Sequence, residues 1–416
     1  MIVNQAIRKF AKIVWVAFFL GISVQVQADK PLTLLIGVDG FRWDIIDRYE
    51  LPNLERLARE GVRVTHLQPV MPSKTFPNFY AIATGLYPEN NGVLGNAGYD
   101  PVLDKTFRMS DQDDSRWFEG EPIWITVEKQ NKIAATMFWV GTAAAYDGIQ
   151  PTYWRPFDGS VKYEDRVAQV MTWLDLPVTE RPDFVSVYFE ALDSASHGSG
   201  VGSEEEAAAA LEIDSLVGSL WQGLEQRDLL TQSNIVVVGD HGMTNLSADR
   251  VIYLDDYTDL SEAFSELYSP QLSGERQGNA VYATFYGDDA DLDRFYQDIH
   301  GKHENMSVFR KGQYPDWFHL SHPVREPGLV IMPDNGWMIS KRDVPYYGPR
   351  ATHGFSPLET DMQATLLGYG PAFAKGKVIP RLHVVDIYGL LSRLMQITPA
   401  SHDGDASRVR GLLHQE

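Results

Sequence analysis

The sequence contains no cysteine, so the chain forms no disulfide, and any metal site must use His, Asp, Glu, Ser or Thr. It also lacks repeats, and no Gly-rich dinucleotide fingerprint follows a predicted strand, which argues against a redox enzyme.

Basic residues are outnumbered by acidic ones: the chain has 36 Lys and Arg and 56 Asp and Glu, for a net charge of −20. Such a field repels extended nucleic acid, and it admits a small anionic substrate only where a local cation reverses it.

One long apolar run is present, and it lies near the N-terminus. Arg8, Lys9 and Lys12 precede the run IVWVAFFLGISV, and the small-residue sequence VQA ends at Ala28. The run is short for a membrane span and is typical of a secretory signal. We therefore expect 1–28 to be a signal peptide and the mature chain to be periplasmic or secreted, without a membrane span. An uncleaved membrane anchor is the alternative.

Apolar runs alternate with helical patterns along the rest of the chain. Strands are predicted at 32–38, 133–138, 184–190 and 235–239, and helices at 53–60, 122–130, 164–174, 204–228 and 384–395. Ser203 and Glu206 have the spacing of a capping box at the start of the longest helix. Continuous apolar strands between helices predict a mostly parallel α/β sheet covered on both faces. Residues 251–345 are richer in aromatic, Asp and Gly residues, and are predicted to form a smaller inserted α+β lobe within a domain of 29–416.

Metal-binding residue types follow three of the predicted strands. Asp39 follows LTLLIGV, Asp193 and His197 follow FVSVYFE, and Asp240 and His241 follow IVVVG. Each of them alone is more often a helix cap, a turn residue or a surface residue. Because the carboxyl ends of parallel strands meet at one edge of a sheet, we expect all five to share one crevice. Asp193 and His197 are four residues apart, which places them on one face of a helical turn.

Two further segments carry candidate residues. His353 precedes Gly354, which would let the backbone bend close to an ion. Thr75 lies in PSKTFPNFY, at the start of a helical segment whose Pro77 suits a first turn. Free N–H groups at such a start attract anions, and a hydroxyl beside a metal can attack phosphorus, although a plain N-cap is the alternative. Three carboxylates and three imidazoles together match a two-metal site.

These segments resemble the motifs of a known family. In order, the motifs are GVDGFR (37–42), PSKTFPNFYAIATGLYP (72–88), NGVLGN (91–96), PTYWRPFDGSV (151–161), YFEALDSASHGSG (188–200), GDHGM (239–243) and THGF (352–355). They resemble the nucleotide pyrophosphatase/phosphodiesterase branch of the alkaline phosphatase superfamily. The resemblance implies an alkaline-phosphatase-like three-layer α/β/α sandwich. It also implies a two-zinc hydrolase of phosphodiester or pyrophosphate bonds in small substrates such as nucleotides, acting through a phospho-threonine intermediate.

The resemblance also implies the roles of single residues. One zinc would be bound by Asp39, Asp240, His241 and Thr75, and the second by Asp193, His197 and His353, with manganese or another divalent ion as the alternative. Thr75 would be the nucleophile, Asn96 would hold a phosphate oxygen, and Phe76 and Trp154 would contact the leaving group or the nucleoside. The chain departs from the family's pattern in two places. It has Phe355, Ser356 and Pro357 where the family often has Tyr-Asp-Asn, and Trp154 where Tyr is usual.

The absence of Arg from the PSKTFPN segment bears on the substrate. A dianionic phosphomonoester usually requires a cationic fork, so a diester is favoured unless Lys74 or a distant Arg supplies the charge. A phosphomonoesterase, a choline-phosphate ester hydrolase and a phosphonate hydrolase of the same superfamily remain alternatives. A metal-binding pseudoenzyme is the non-enzymatic alternative. Cysteine-derived sulfatase chemistry is excluded because the chain has no cysteine.

Overall fold

A computed structural model describes residues 31–272, 279–344 and 349–414, with the backbone alone for 264–266. The expected signal peptide at 1–28 lies outside these ranges. Within them, no helix combines the length and the apolar character needed to cross a membrane.

Strands and helices alternate along much of the chain. The strands are β1 (Leu32–Val38), β2 (Val62–Gln68), β3 (Ala97–Asp100), β4 (Lys105–Arg108), β5 (Ala134–Met137), β6 (Tyr153–Arg155), β7 (Phe184–Phe189), β8 (Ser233–Gly239), β9 (Thr244–Asn245), β10 (Val251–Tyr253), β11 (Ala283–Phe285), β12 (Met306–Arg310), β13 (Leu329–Pro333), β14 (Met338–Ser340), β15 (Ala351–Thr352), β16 (Ala364–Tyr369) and β17 (Lys377–His383). The helices are α1 (Ile45–Arg48), α2 (Pro52–Glu60), α3 (Thr75–Thr84), α4 (Pro88–Asn91), α5 (Ile123–Lys129), α6 (Tyr163–Leu174), α7 (Ala191–Ser199), α8 (Glu204–Glu225), α9 (Leu260–Glu266), α10 (Asp289–Ile299), α11 (Asp386–Leu394) and α12 (Ala406–Val409).

An eight-stranded sheet forms the centre of the molecule, in the order β17-β2-β16-β8-β1-β7-β5-β6. The five strands from β8 to β6 are parallel, and β16 alone runs antiparallel to its two neighbours, β2 and β8. Every residue of β1, β7 and β8 is buried, as expected for strands covered by helices on both faces. The predicted mostly parallel α/β sandwich is therefore confirmed, with β16 as its antiparallel member.

The register of three central strands decides where the chain leaves the sheet. Val38, the last residue of β1, pairs with Phe189 of β7 on one side and with Gly239 of β8 on the other. The three strands consequently end level with one another. The residues that follow them emerge side by side at one edge of the sheet.

Helix α8 buries one apolar face against this sheet, and Ser203 caps its start by accepting a hydrogen bond from the Glu206 backbone at 3.1 Å. The second half of the expected capping box does not form. The Glu206 carboxylate instead accepts hydrogen bonds from Arg48, Tyr49 and Ser196, and so ties α8 to α1 and to α7.

A second hydrophobic core lies outside the main sheet. Its residues come from the range 252–339, where β11, β13 and β12 form an antiparallel sheet with α10 packed nearby. Arg325 links this part of the chain to the segment 92–117. Its buried guanidinium donates to Asp100 at 2.9 Å and to the carbonyl oxygens of Gly92, Trp117 and Arg116.

We expect Arg325→Met to lower the free energy of unfolding by about 3–5 kcal/mol, because it leaves the buried Asp100 carboxylate without its partner. Urea unfolding followed by circular dichroism measures this loss. Arg294→Met is the control, since Arg294 is half exposed where it pairs with Asp291, and an exposed pair contributes about 0–1 kcal/mol. Equal losses in the two variants would contradict the linking role of Arg325.

Candidate metal and phosphate site

The level strand ends bring acidic and imidazole side chains to one point. Asp39 directly follows β1, and Asp240 and His241 directly follow β8. Helix α7 begins just after β7, with Asp193 in its first turn and His197 one turn later. The five residues share one edge of the sheet, as the strand pattern predicts.

A close backbone approach between Gly40 and α7 helps to bring these groups together. Gly40 has φ of 69°, and a Cβ atom there would lie 3.1 Å from the Cα of Asp193. The Gly40 backbone N–H also donates to Oδ1 of Asp240 at 3.1 Å. The glycine therefore permits both the turn after β1 and the contact with the helix.

His353 reaches the same point from the loop after β15, and its ring stacks on that of His241 at a centroid distance of 3.6 Å. The following residue, Gly354, has φ of +114°, and a Cβ atom there would lie 2.3 Å from Cε of Lys74. Gly354 therefore permits both the bend of the backbone after His353 and the position of the Lys74 side chain.

The ligand atoms fall into two groups that share Asp193. One group is Asp193, His197 and His353, and the other is Asp39, Asp193 and His241, with the atoms of each group within 4.8 Å of one another. Asp240 adjoins the second group, since its Oδ2 lies 2.9 Å from Nε2 of His241.

The separations between ligand atoms in these groups suit a small cation. Nε2 of His241 lies 3.3 Å from Oδ1 of Asp39, and Oδ1 of Asp193 lies 3.5 Å from Nε2 of His197 and 3.7 Å from Nε2 of His353. Nitrogen and oxygen ligands of a tetrahedral zinc lie roughly 3.3 Å apart, given bond lengths of about 2.0–2.1 Å. The residues therefore fit divalent cations.

All three imidazoles are oriented by backbone carbonyl groups. Nδ1 of His197 lies 2.8 Å from the Ala351 oxygen, Nδ1 of His241 lies 2.9 Å from the Gly242 oxygen, and Nδ1 of His353 lies 2.8 Å from the Ser73 oxygen. Because a carbonyl oxygen only accepts, each Nδ1 carries a proton. When such a ring is neutral, its Nε2 has a lone pair that faces the carboxylates, as in metal-binding histidines.

The carboxylates are buried beside one another with little compensation. Oδ1 of Asp39, Oδ1 of Asp193 and Oδ2 of Asp240 have no hydrogen-bond partner within the part of the chain that the structure describes. Burial raises the pKa of Asp39 well above its ordinary value, and the nearby Asp240 and Asp193 raise it further. Burial likewise raises the pKa of Asp240 and lowers that of His353. A cation is the partner that this combination of anions and lone pairs lacks.

Thr75 is the first residue of α3, and its Oγ1 lies 3.4 Å from Nε2 of His241. Its loop is held by the fully buried Asn78, which accepts from the Val70 N–H at 2.7 Å and donates to the Pro72 and Lys74 carbonyls. The threonine hydroxyl therefore stands on a fixed helix start next to the ligand cluster.

Asn96 lies beside the same helix start. Its Oδ1 accepts a hydrogen bond from the Phe76 N–H at 2.9 Å, which leaves the side-chain NH2 group of Asn96 available to a ligand. Asn96 also lines the cavity above the cluster, so this NH2 group can donate to an oxygen bound there.

A cavity of about 770 Å³ opens over the cluster. Its lining residues are Asp39, Thr75, Phe76, Asn96, Met109, Ser110, Gln112, Asp113, Phe138, Trp139, Val140, Thr142, Ala143, Pro156, Phe157, Tyr188, Asp193, His197 and His353. Trp154, expected to contact substrate, is not among them: it lies within β6 opposite Thr136 of β5. Phe157, three residues further on, lines the cavity with 46% of its surface exposed.

Tyr188 is a site residue that the sequence patterns did not identify. Its hydroxyl donates to Oδ2 of Asp39 at 2.6 Å, and the residue also lines the cavity. The available signal was a phenol near the end of FVSVYFE, a strand in which most residues are apolar. A buried phenol usually has a hydrogen-bond partner, and in this site the partner is a candidate ligand.

The chain matches known proteins over most of its length. The family model for type I phosphodiesterase/nucleotide pyrophosphatase matches residues 33–356. Ectonucleotide pyrophosphatase/phosphodiesterase family member 3 of Rattus norvegicus is 35% identical over 393 residues, which are 92% of this chain and 44% of the rat protein. A venom phosphodiesterase of Crotalus durissus collilineatus is 33% identical over 398 residues, or 92% of this chain and 46% of that protein. The chain thus spans less than half the length of these curated relatives.

Solved structures match as well. Murine ectonucleotide pyrophosphatase/phosphodiesterase 5 superposes with a TM-score of 0.85 at 30% identity, covering 92% of this chain and all of that one. An inactive threonine-to-alanine variant of the murine protein, in complex with AMP, also gives a TM-score of 0.85 at 29% identity, covering 93% of this chain and 100% of that chain. The chain therefore belongs to the type I phosphodiesterase/nucleotide pyrophosphatase family of the alkaline phosphatase superfamily.

Proposed function

We propose that the protein is a metal-dependent hydrolase of phosphodiester or pyrophosphate bonds in small substrates such as nucleotides, with Thr75 as the nucleophile. The observation that carries this proposal is the position of the Thr75 hydroxyl. It stands at the start of a ten-residue helix, 3.4 Å from an imidazole nitrogen whose neighbours are buried carboxylates. A hydroxyl in this position has no evident structural purpose as a helix cap, because the N-cap residue is Lys74.

The proposed cofactor is a pair of divalent cations, with zinc preferred because the ligands are imidazoles and carboxylates. The first ion would be held by Asp39, Asp240, His241 and Thr75, and the second by Asp193, His197 and His353. Such ions polarise phosphoryl oxygens and lower the pKa of a bound oxygen nucleophile. Asp193 has ligand atoms near both groups, so its position couples the two sites.

The residues of the chain suggest the course of the reaction. The Thr75 hydroxyl gives its proton to solvent, and its oxygen forms a bond to phosphorus as the bond from phosphorus to the leaving oxygen breaks. The leaving oxygen takes up a proton from solvent. Water then attacks phosphorus, the bond to Thr75 breaks, and the threonine hydroxyl is restored. The side-chain NH2 group of Asn96 stabilises the developing negative charge, and the positive end of the α3 helix dipole adds to this effect.

The lining of the cavity favours a diester over a monoester. Among the described residues that line it, none is Lys or Arg, so no side chain there forms the cationic fork that a dianion would require. A monoanionic diester carries less negative charge to be balanced, and the NH2 group of Asn96 together with the proposed metal ions would suffice.

The organic part of the substrate is proposed to contact aromatic side chains. Phe76 and Phe157 line the cavity, which suits a flat apolar group such as a nucleobase. Since Trp154 lies outside the lining, we propose Phe157 in the role expected for it. The murine structure solved in complex with AMP supports a nucleotide as the ligand class.

The named relatives include ectoenzymes and a venom protein, which supports the export of this chain.

Replacing Thr75 with Ala should lower kcat on a phosphodiester by on the order of 10³-fold or more, because the nucleophile is removed while the cavity persists. Thr75→Ser keeps a hydroxyl and should retain far more activity. Rates on bis-p-nitrophenyl phosphate, with p-nitrophenyl phosphate as the monoester comparison, measure both effects. Full activity of Thr75→Ala would remove the nucleophile assignment, and faster turnover of the monoester would reverse the substrate preference.

Removing the metal should lower the melting temperature, because the buried carboxylates lose the cations that balance their charge. We expect metal analysis to give two zinc ions per chain, and His353→Ala to bind one fewer. His414→Ala is the matched control, since His414 is an exposed histidine far along the chain from the cluster. Two zinc ions in both variants, or a melting temperature insensitive to chelator, would contradict the two-metal proposal.

A further inference from the structure

Three connected rings form one side of the cavity, and we call Phe138, Phe157 and Tyr188 the aromatic wall. All three line the cavity. Phe157 meets Phe138 edge to face at 5.6 Å and meets Tyr188 edge to face at 6.1 Å. Phe157 is partly exposed at the mouth, so its orientation depends on the two buried rings behind it.

Phe138 adopts an unusual backbone conformation. Its φ is 68°, in the left-handed region that aromatic residues rarely occupy. Such a conformation costs about 1–3 kcal/mol and persists only where the surroundings hold it. Part of the support comes from the Phe138 N–H, which donates to the Arg155 carbonyl at 3.3 Å.

A second contact comes from Arg166, a completely buried cation behind the wall. The Arg166 guanidinium carbon lies 4.9 Å from the centre of the Phe138 ring, within the range of a cation–π contact. Nη1 of Arg166 also donates to the Tyr188 carbonyl at 2.9 Å. One guanidinium therefore contacts two of the three members of the wall.

Glu190 completes this arrangement by pairing with Arg166 through both carboxylate oxygens, at 2.5 and 2.7 Å. Glu190 is the N-cap residue of α7, the helix that carries Asp193 and His197. The bidentate pair therefore connects the aromatic wall to the start of the helix that carries two candidate ligands.

We propose that Arg166 is a positioning residue for substrate specificity. It touches no substrate; it fixes the aromatic wall at the distance from the ligand cluster that a flat organic group on the phosphate requires. This inference rests on the proposed function. A substrate with a nucleobase uses the wall, whereas a substrate with only a methyl group does not.

The test compares two diesters with the same leaving group: the p-nitrophenyl ester of thymidine 5′-phosphate and methyl p-nitrophenyl phosphate. In Arg166→Lys, which cannot reproduce the bidentate pair or the stacked guanidinium, KM for the thymidine ester should rise by about tenfold with kcat within about twofold. The kcat/KM for the methyl ester should stay within about twofold of the unchanged protein. Glu190→Gln should shift the same ratio in the same direction.

Arg325→Lys is the matched control, because Arg325 is also a buried arginine paired with a carboxylate, that of Asp100. Its other hydrogen bonds go to the carbonyl oxygens of Gly92, Trp117 and Arg116, none of which belongs to the wall. It should lower stability without changing the ratio between the two substrates. The proposal is overturned if Arg166→Lys changes kcat/KM for both esters equally, or if it changes neither. Should Arg166→Lys fail to fold, the ratio in Glu190→Gln decides in the same way. A wild-type protein that hydrolyses neither ester would instead refute the proposed function.

Discussion

The pairing of β1 with β7 on one side and β8 on the other is the constraint on which the site depends. With Val38 opposite both Phe189 and Gly239, the chain leaves all three strands at one level. A shift of one residue in either pairing would turn every side chain of that strand to the other face and move its following residues by about 3.3 Å. Because the three strands are packed on both faces, such a shift would place side chains of the wrong size against the helices and create cavities and overlaps. The hydrophobic core thereby fixes the spacing of ligands that contribute nothing to it.

The electrostatics of the cluster oppose folding unless a cation is bound. Backbone carbonyls hold the Nδ1 protons of the three imidazoles, so lone pairs rather than protons point toward the carboxylates. A proton on Nε2 would relieve the repulsion between the imidazole lone pairs and the carboxylates, but burial disfavours the charged ring of His353. Protonating Asp39 would also relieve it, and the raised pKa of that carboxyl reflects this tendency. Divalent cations would remove this conflict for all six groups at once. The orientation of the imidazoles is therefore stronger evidence for a metal site than the residue types alone.

Sequence patterns predicted the parts of the structure that depend on local periodicity. The bounds of β1 are as predicted, and those of α2, α5, α6 and α11 agree within about two residues, because each carries a clear apolar repeat. The strands β2, β16 and β17 were not predicted, since all three mix polar residues or glycine into their apolar positions. Glu206 shows a different limit. Its spacing from Ser203 indicates a capping box, but Arg48 and Tyr49, remote in sequence, attract its carboxylate more strongly.

The candidate site shows the same division between local and distant information. Strand ends indicated where five candidate ligand residues would gather, and the resemblance placed Thr75 and His353 with them. The residues that line the cavity could not be predicted from strand ends, because whether Trp154 or Phe157 faces the cavity depends on how β6 ends. The contact of Tyr188 with Asp39 and that of Arg166 with Phe138 join residues from different elements. Neither contact has a signature in spacing.

The order of the strands separates two tasks along one edge of the sheet. The ligand cluster stands at the ends of β8, β1 and β7, whereas Phe138 follows β5 and Phe157 follows β6. Neighbouring strands lie about 4.8 Å apart, so the aromatic side begins roughly one or two strand spacings from the cluster. A phosphate at the cluster would then extend its organic group across β7 toward β5. The loops after β5 and β6 can therefore vary without moving the residues of the ligand cluster.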